Sequence, residues 1–229
     1  MSWSLSEFAS EAKTVSEAFQ HIGDSGSDSL ADWALVEDQT HVAFLKRAPL
    51  LRRSKKDKIA TASADELCLV DDTIIADNDL ACIGPNDEND ELLVWIFSIV
   101  YSDVWECPVL YFRVEAQDGA LVTSREHIVQ ILKLEHYQNE VEDSWEFVSY
   151  DEHPVDGLPS FFLHPCQTRE RVKTLLNSTD GKRHDAGTSQ HNGFLLLTWM
   201  SMIFPAVGMT ISSQNFVAIQ KQLSKPKSH

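Results

Sequence analysis

Cys166 has the surroundings that nucleophilic chemistry requires. An apolar run ends in His164-Pro165 just before it, and because proline cannot donate to a strand ladder, the strand is predicted to stop near His164. Thr168 suits the N-cap of a helix that follows. A thiol just before a helix N-terminus meets unpaired amide protons and the positive end of the helix dipole, which both favour the thiolate. The sequence therefore predicts an exposed, activated thiol; the alternative is a buried cysteine that packs as a small hydrophobe.

The other three cysteines, Cys68, Cys82 and Cys107, are scattered and form no C-x-x-C pair. This spacing suits neither a disulfide framework nor a zinc site, so we expect reduced thiols, no metal and no cofactor. His184 and His191 lie downstream, where a papain-like protease would have its histidine, but neither sits in a local pattern of those proteases. A peptidase is therefore disfavoured.

The composition limits the classes of partner. At 229 residues with 43% hydrophobic content, the chain can bury one sizeable core. A net charge of -16 argues against nucleic acid and anionic membrane surfaces, and fits a basic protein partner or a charged docking surface better. No basic flank precedes an apolar stretch at the N-terminus, so no signal peptide is expected and we expect a cytoplasmic protein.

The elements that lead toward the thiol begin with a helix and two short strands. Ser4 and Glu7 have the spacing of a capping box, and apolar residues then recur at three- and four-residue steps toward Gly23. Residues 33–36 and 41–45 are typical of strands.

Two charged segments follow these strands. We interpret the basic run of residues 52–58 as a solvated loop, with contact to a negative partner or a sorting signal as alternatives. Acidic residues then accumulate without a single Lys or Arg, and we interpret residues 59–91 as an acidic insertion between strands.

The strongest strand signals come after the acidic segment. Residues 92–101 and 109–115 are near-continuous apolar runs joined by a short loop, which predicts central strands of a sheet. Thr123 and Glu126 have capping-box spacing and open a helix. A strand at residues 145–150 then leads through a turn-rich connection into the run that ends at the thiol.

Residues 194–211 form the most apolar window of the chain. We interpret it as a buried helix broken at Pro205 rather than as a membrane span, which hydropathy alone would admit. The tail from Gln214 is polar and basic and is predicted to be loose. Residues 1–212 are expected to form one domain, with 213–229 as a polar tail. The order of the elements predicts an α+β fold, an antiparallel sheet with flanking helices.

Three sequence blocks resemble a known family. They are Pro108-Val109-Leu110-Tyr111-Phe112-Arg113 with Asp118-Gly119, then Glu152-His153-Pro154 leading to His164-Pro165-Cys166, and then Trp199-Met200-Ser201 with Pro205-Ala206-Val207-Gly208. In order and spacing they resemble the E2-like conjugating enzymes of autophagy, and among these the autophagy-related protein 10 family, over about residues 92–212.

The resemblance implies a ubiquitin-conjugating-enzyme-like core and a reaction at Cys166. This residue would receive the ubiquitin-like autophagy-related protein 12 as a thioester from the activating enzyme, autophagy-related protein 7. It would then pass the modifier to a lysine of autophagy-related protein 5. Nucleic acid and stable membrane insertion have no part in this scheme. The chemistry asks for an exposed thiolate, an approach for the amine, and a donor to the thioester oxyanion.

One departure from ordinary ubiquitin-conjugating enzymes concerns that donor. Those enzymes place a His-Pro-Asn several residues before the cysteine, whereas here Cys166 itself takes the place of the asparagine. His164 is therefore the first candidate for an orienter or oxyanion helper, and Tyr150 and Ser149 are candidates from hairpin proximity. The alternatives are a non-catalytic conjugating-fold scaffold or adaptor that binds autophagy proteins, and a membrane-anchored adaptor that spans with residues 194–211.

Overall fold

Seven antiparallel strands and four α-helices make up the described part of the chain, which in this computed structural model is residues 3–22, 29–38, 42–55, 90–136, 148–165 and 194–224. The helices are α1 (Leu5–Phe19), α2 (Arg125–His136), α3 (Phe194–Ile203) and α4 (Ser213–Leu223). The strands are β1 (Trp33–Glu37), β2 (Ala43–Arg47), β3 (Leu50–Lys55), β4 (Asp90–Ser102), β5 (Cys107–Ala116), β6 (Val148–Glu152) and β7 (Pro159–Leu163). The sheet order is β1-β2-β4-β5-β7-β6, and β3 also pairs with β4. The predicted α+β class is confirmed, and the arrangement is consistent with a ubiquitin-conjugating-enzyme-like core.

The capping box at the start of α1 is formed as predicted. Ser4 Oγ accepts from the Glu7 amide at 3.2 Å, and Glu7 Oε2 accepts from the Ser4 amide at 2.8 Å. Two amides that the helix itself cannot satisfy are thereby paired. At α2 the cap is one residue later than predicted, because Ser124 Oγ accepts from the His127 amide at 3.1 Å.

Strands β2 and β3 lie end to end along one edge of β4. β2 pairs with β4 at Ile99 and Ser98, and β3 continues in the same direction, pairing with residues Trp95 to Asp90 of β4. Pro49 separates β2 from β3, because a proline within a strand removes a ladder hydrogen bond. Of the acidic insertion predicted at residues 59–91, the last two residues belong to β4, and the remainder lies outside the described residues.

The interpretation of residues 52–58 as a solvated loop is wrong for residues 52–55, which belong to β3. The Arg52 guanidinium lies 5.3 Å from the centroid of the Trp95 ring, a cation-π contact. Its two terminal nitrogens donate to the carbonyls of Val207 and Gly208, at 2.7 and 2.8 Å. An arginine can therefore occupy an inward position of β3, because the aromatic ring and two carbonyls satisfy it.

The main core lies between one face of the sheet and the helices. Large aromatic rings from neighbouring strands stack across this face, with the centroids of Trp95 and Phe112 5.8 Å apart and those of Phe112 and Phe161 5.7 Å apart. The helices cover these rings with fully buried side chains, among them Phe8, Ile128, Leu196 and Ile219.

The apolar window near the C-terminus is the predicted buried helix. α3 ends at Ile203, and Pro205 lies in the first turn of a short 3-10 helix, Phe204–Val207. In the part of the chain that the structure describes, no helix is both long and apolar enough to cross a membrane. The prediction of a loose tail from Gln214 is wrong, because residues 213–223 form α4, whose N-cap Ser212 accepts from the Asn215 amide at 3.1 Å.

Candidate active site

Strand β7 immediately precedes the predicted nucleophile in the sequence. It ends at Leu163, as predicted from the His-Pro pair, and the described chain continues through His164 and Pro165. Cys166 itself lies outside the described residues, as do Cys68, Cys82, His184 and His191. The described geometry is therefore that of the residues leading up to the thiol.

An aromatic wall adjoins the end of β7. The His164 ring meets the Trp105 ring nearly edge-on, with centroids 5.2 Å apart, and lies 6.3 Å from the Phe162 ring. Trp105 comes from the turn between β4 and β5. His164 is half-buried, so this wall shields part of its ring from water.

His164 lies on the sheet face opposite the helices. Side chains alternate along a strand, so Phe161 and Leu163 join the helix-covered core, whereas Phe162 joins a second apolar cluster on the other face. His164, in contact with Phe162, lies on that second side. No described helix contributes to the second cluster, whose buried members are Phe44, Val100, Val109, Tyr111 and Phe162.

The register aligns a row of side chains across this second face. Lys46 pairs with Ser98, Ser98 with Tyr111, and Tyr111 with Phe162. The row therefore crosses four strands, β2, β4, β5 and β7, and its last member stands two residues before His164.

The turn between β6 and β7 folds over this row. His153, 6% exposed, reaches across β7 and β5 so that its Nε2 lies 2.8 Å from Ser98 Oγ in β4. The backbone amides of Val155 and Asp156 both donate to His153 Nδ1, at 3.4 Å. Asp156 Oδ1 lies 3.1 Å from the same nitrogen, so Nδ1 faces a carboxylate acceptor as well as two amide donors. Which atom donates in the contact between His153 Nε2 and Ser98 Oγ depends on the tautomer of the ring.

Burial determines the charge states in this turn. Desolvation lowers the pKa of His153 against the opposing effect of the Asp156 charge, so the imidazole is neutral. Burial also disfavours the ionised form of Asp156, but hydrogen bonds from Arg113 Nη1, at 2.8 Å, and from the Leu158 amide outweigh it and hold the pKa of Asp156 below its usual value. The turn therefore contains a neutral imidazole beside an Arg–Asp ion pair.

The contacts among Asp156, His153 and Ser98 follow the order of a hydrolase triad, with Asp156 Oδ1 3.1 Å from His153 Nδ1 and His153 Nε2 2.8 Å from Ser98 Oγ. Ser98, however, lies within β4 and is paired with strands on both sides. Ladder hydrogen bonds there occupy the backbone amides that an oxyanion hole would need. These contacts fix the turn over the sheet and do not activate a nucleophile.

Tyr150 and Ser149, the helper candidates inferred from hairpin proximity, lie on opposite faces of the sheet. Tyr150 packs against Phe161, with ring centroids 4.8 Å apart, and so faces the helices, away from His164. Ser149 is the strand partner of Phe162. Cys107 is buried at the start of β5.

Sequence reasoning missed the polar group formed by His153, Ser98, Arg113 and Asp156. His153 and its contact Ser98 lie 55 residues apart along the chain, so no local spacing indicates the group. The available signal was that His153 and Arg113 belong to the sequence blocks that resemble a known family. Among the described ranges, no group of three or more His, Cys, Asp and Glu side chains could hold a metal ion.

Comparisons with known proteins agree with the resemblance of those blocks. Residues 7–214 match the family model described as autophagocytosis associated protein, active-site domain. Three similar proteins are each named ubiquitin-like-conjugating enzyme ATG10. The one from Homo sapiens is 28% identical over 124 residues, 53% of this chain and 51% of the relative. The one from Dictyostelium discoideum is 29% identical over 121 residues, 52% and 53% of the two chains.

The third relative, from Arabidopsis thaliana, is 30% identical over 157 residues, 67% of this chain and 62% of the relative. The matches therefore span about half to three-fifths of the relatives' own length. They confirm the resemblance to the E2-like enzymes of autophagy.

Proposed function

This chain belongs to the family of autophagocytosis-associated active-site domains, and from that membership we propose that it is an E2-like enzyme that conjugates a ubiquitin-like modifier in autophagy. The match over residues 7–214 carries the proposal, because it includes both the end of β7 and Cys166. The names of the three similar proteins support the same class of reaction.

Cys166 is the proposed acyl carrier. Its thiolate attacks the thioester carbonyl that joins the C-terminus of the modifier to a cysteine of the activating enzyme. A C–S bond forms at Cys166, the earlier C–S bond breaks, and the activating enzyme's thiolate leaves. The amine of an acceptor lysine then attacks the Cys166 thioester, loses a proton and forms an isopeptide bond as the Cys166 thiolate leaves.

The proposed partners follow from the family. They are autophagy-related protein 7 as the activating enzyme, autophagy-related protein 12 as the modifier and autophagy-related protein 5 as the acceptor. A thioester carries its acyl group at high energy, so positioning of the lysine supplies much of the rate.

The described surroundings suit such a carrier. The Trp105 and Phe162 rings provide an apolar wall at the end of β7, which limits the access of water to an acyl group held there. His164 is proposed to orient the acyl group or donate to its oxyanion, since it precedes Cys166 by two residues and its ring lies on that wall.

The test is a charging assay with the activating enzyme, ATP and the modifier. We expect a slower-migrating adduct that a reducing agent removes, and we expect Cys166→Ser to replace it with a reductant-resistant ester. Cys107→Ala, a change at the buried cysteine of β5, is the matched control and is expected to charge normally. A folded wild-type protein that forms no adduct would instead be a non-catalytic scaffold, and the proposal would fail.

A further inference from the structure

A cavity of about 110 Å³ lies under the turn between β6 and β7, on the sheet face that carries His164. Its polar lining comes from five separate elements, β2, β4, β5, β7 and the turn itself. The polar residues that matter for binding are Lys46, Ser98, Tyr111, Arg113 and Asp156.

Both carboxylate oxygens of this lining are already hydrogen-bonded. Asp156 Oδ2 accepts from Arg113 at 2.8 Å, and Asp156 Oδ1 accepts from the Leu158 amide at 3.1 Å. Ser98 Oγ is hydrogen-bonded to His153 Nε2 at 2.8 Å. A cationic ligand therefore finds no unpaired carboxylate in this lining.

Donors, in contrast, remain available. Arg113, which lines the cavity, keeps a buried nitrogen, Nε, that has no hydrogen-bond partner among the described residues. The Tyr111 hydroxyl makes no hydrogen bond to any described residue. Burial, with the charge of Asp151, raises the pKa of Tyr111, so its hydroxyl keeps its proton and remains a donor.

Lys46 supplies the positive charge of the cavity. It is exposed on β2 and forms no ion pair within the described ranges. The charge of Arg113 is balanced by Asp156, 2.8 Å away. Asp151, the other carboxylate near Tyr111, lies on the edge strand β6 and does not line the cavity. The Lys46 ammonium, the Tyr111 hydroxyl and the Nε–H group of Arg113 together favour an anionic acceptor.

The apolar lining and the volume of the cavity further limit the size and chemistry of the ligand. Phe44, Ile96 and Val155 provide aromatic and aliphatic walls. Cofactor and drug-sized sites occupy about 300–1,000 Å³, so a cavity of about 110 Å³ holds a single side chain. The ligand that combines these properties is a carboxylate on a short aliphatic stem.

We propose that this cavity binds the side chain of a glutamate or aspartate that a partner protein presents. The hydrogen-bond donors of the cavity are the argument for a carboxylate. That a protein presents this carboxylate rests on the proposed function, in which the chain acts on polypeptides. The row that contains Tyr111 and Phe162 lies two residues along β7 from His164, about 7 Å. An extended partner segment at about 3.3 Å per residue thus reaches the cavity within a few residues of the end of β7.

Binding is tested by amide NMR titration of the full chain with N-acetylglutamate N-methylamide. We expect saturable shifts centred on the amides of Lys46, Ser98 and Tyr111, with a millimolar dissociation constant, as suits one small group. The glutamine analogue, which lacks the charge, is expected to bind at least tenfold more weakly. Lys46→Gln is expected to weaken the glutamyl probe about tenfold, since it removes a charge-assisted hydrogen bond.

Lys13→Gln, at an exposed position of α1, is the matched control and is expected to leave the affinity unchanged. Equal affinity for the glutamine analogue, or no effect of Lys46→Gln, would overturn the assignment. Free propionate separates the two sources of carboxylate, because affinity equal to that of the glutamyl probe would refute a side chain presented by a protein. Charging of Cys166 is scored separately: normal charging with no probe binding refutes the cavity site alone, and the reverse result refutes the conjugating function alone.

Discussion

Replacement of Glu11 by glutamine is expected to stabilise the protein relative to the wild type, and the difference is expected to increase as the pH rises. Glu11 lies on α1 and is 6% exposed, and the Leu196 amide in the first turn of α3 donates to its Oε2 at 2.7 Å. Burial raises the pKa of Glu11 from 4.5 to about 8, the Leu196 hydrogen bond opposes this rise, and the charge of Glu7 adds to it. The carboxyl is therefore mostly protonated at neutral pH in the folded protein and ionised in the unfolded chain.

The size of the effect follows from proton linkage. The folded state binds the proton more tightly, so the stability that Glu11 contributes is complete below pH 4.5 and is lost as the pH rises toward 8. A tenfold difference in proton affinity is worth about 1.4 kcal/mol, which makes the total loss about 5 kcal/mol. Between pH 5 and pH 7 the loss is about 2 to 3 kcal/mol. Glutamine keeps an oxygen that accepts from the Leu196 amide, and its side chain cannot ionise.

Urea unfolding followed by tryptophan fluorescence at pH 5, 6, 7 and 8 measures this difference. The free energy of unfolding of Glu11→Gln minus that of the wild type should increase by about 2 to 3 kcal/mol from pH 5 to pH 7. Glu17→Gln removes an exposed carboxyl from the same helix and controls for the loss of one negative charge. A difference that stays constant with pH, or one that increases toward acid, would refute the argument from burial.

Two further substitutions test the site and the C-terminal packing. His164→Ala is expected to charge with modifier but to discharge to the acceptor lysine at least tenfold more slowly in single turnover, with partial recovery in His164→Gln, which keeps a donor. Unchanged discharge in the alanine variant would remove His164 from the mechanism. Arg52→Lys is expected to lower the free energy of unfolding by about 1 to 3 kcal/mol in urea titrations, because an ammonium cannot bridge the carbonyls of Val207 and Gly208 while lying over the Trp95 ring. Wild-type stability in this variant would show that the two hydrogen bonds contribute little.

The elements that the sequence predicted well are those with a strong local signal. The capping box at Ser4 fixes the start of α1, and the apolar runs of β4 and β5 identify the centre of the sheet. The proline after His164 sets the end of β7. Each of these signals acts within a few residues and does not depend on tertiary contacts with the rest of the chain.

The failures have tertiary causes. Arg52 looked like part of a solvated charge run, but its stabilising partners come from β4 and from the turn after α3, about 155 residues away. The α4 segment looked like a loose tail because its composition is polar. Its buried residues Ile219 and Leu223 follow a four-residue step after an N-cap serine, and this pattern would have identified the helix.

The candidate site also combines features that local sequence predicts with features that depend on tertiary structure. The end of β7 just before His164 was predictable from sequence, since it depends on adjacent residues. The contact of His153 with Ser98 was not, because it requires the order β4-β5-β7-β6 to be known first. Only then does a turn at one edge of the sheet reach a serine three strands away.

Strand β5 links the stability of the fold to the geometry of the candidate site. Its residues alternate between the helix-covered core and the second face, with Leu110, Phe112 and Val114 on one side and Val109, Tyr111 and Arg113 on the other. A slip of one residue would exchange the two sets, turning Tyr111 and Arg113 toward the helices and Phe112 toward the second face. Ten residue pairs with β4 and the stacked rings of the core oppose that slip. The site therefore needs few contacts of its own to hold its register, because the core packing on the opposite face of the same strand already fixes it.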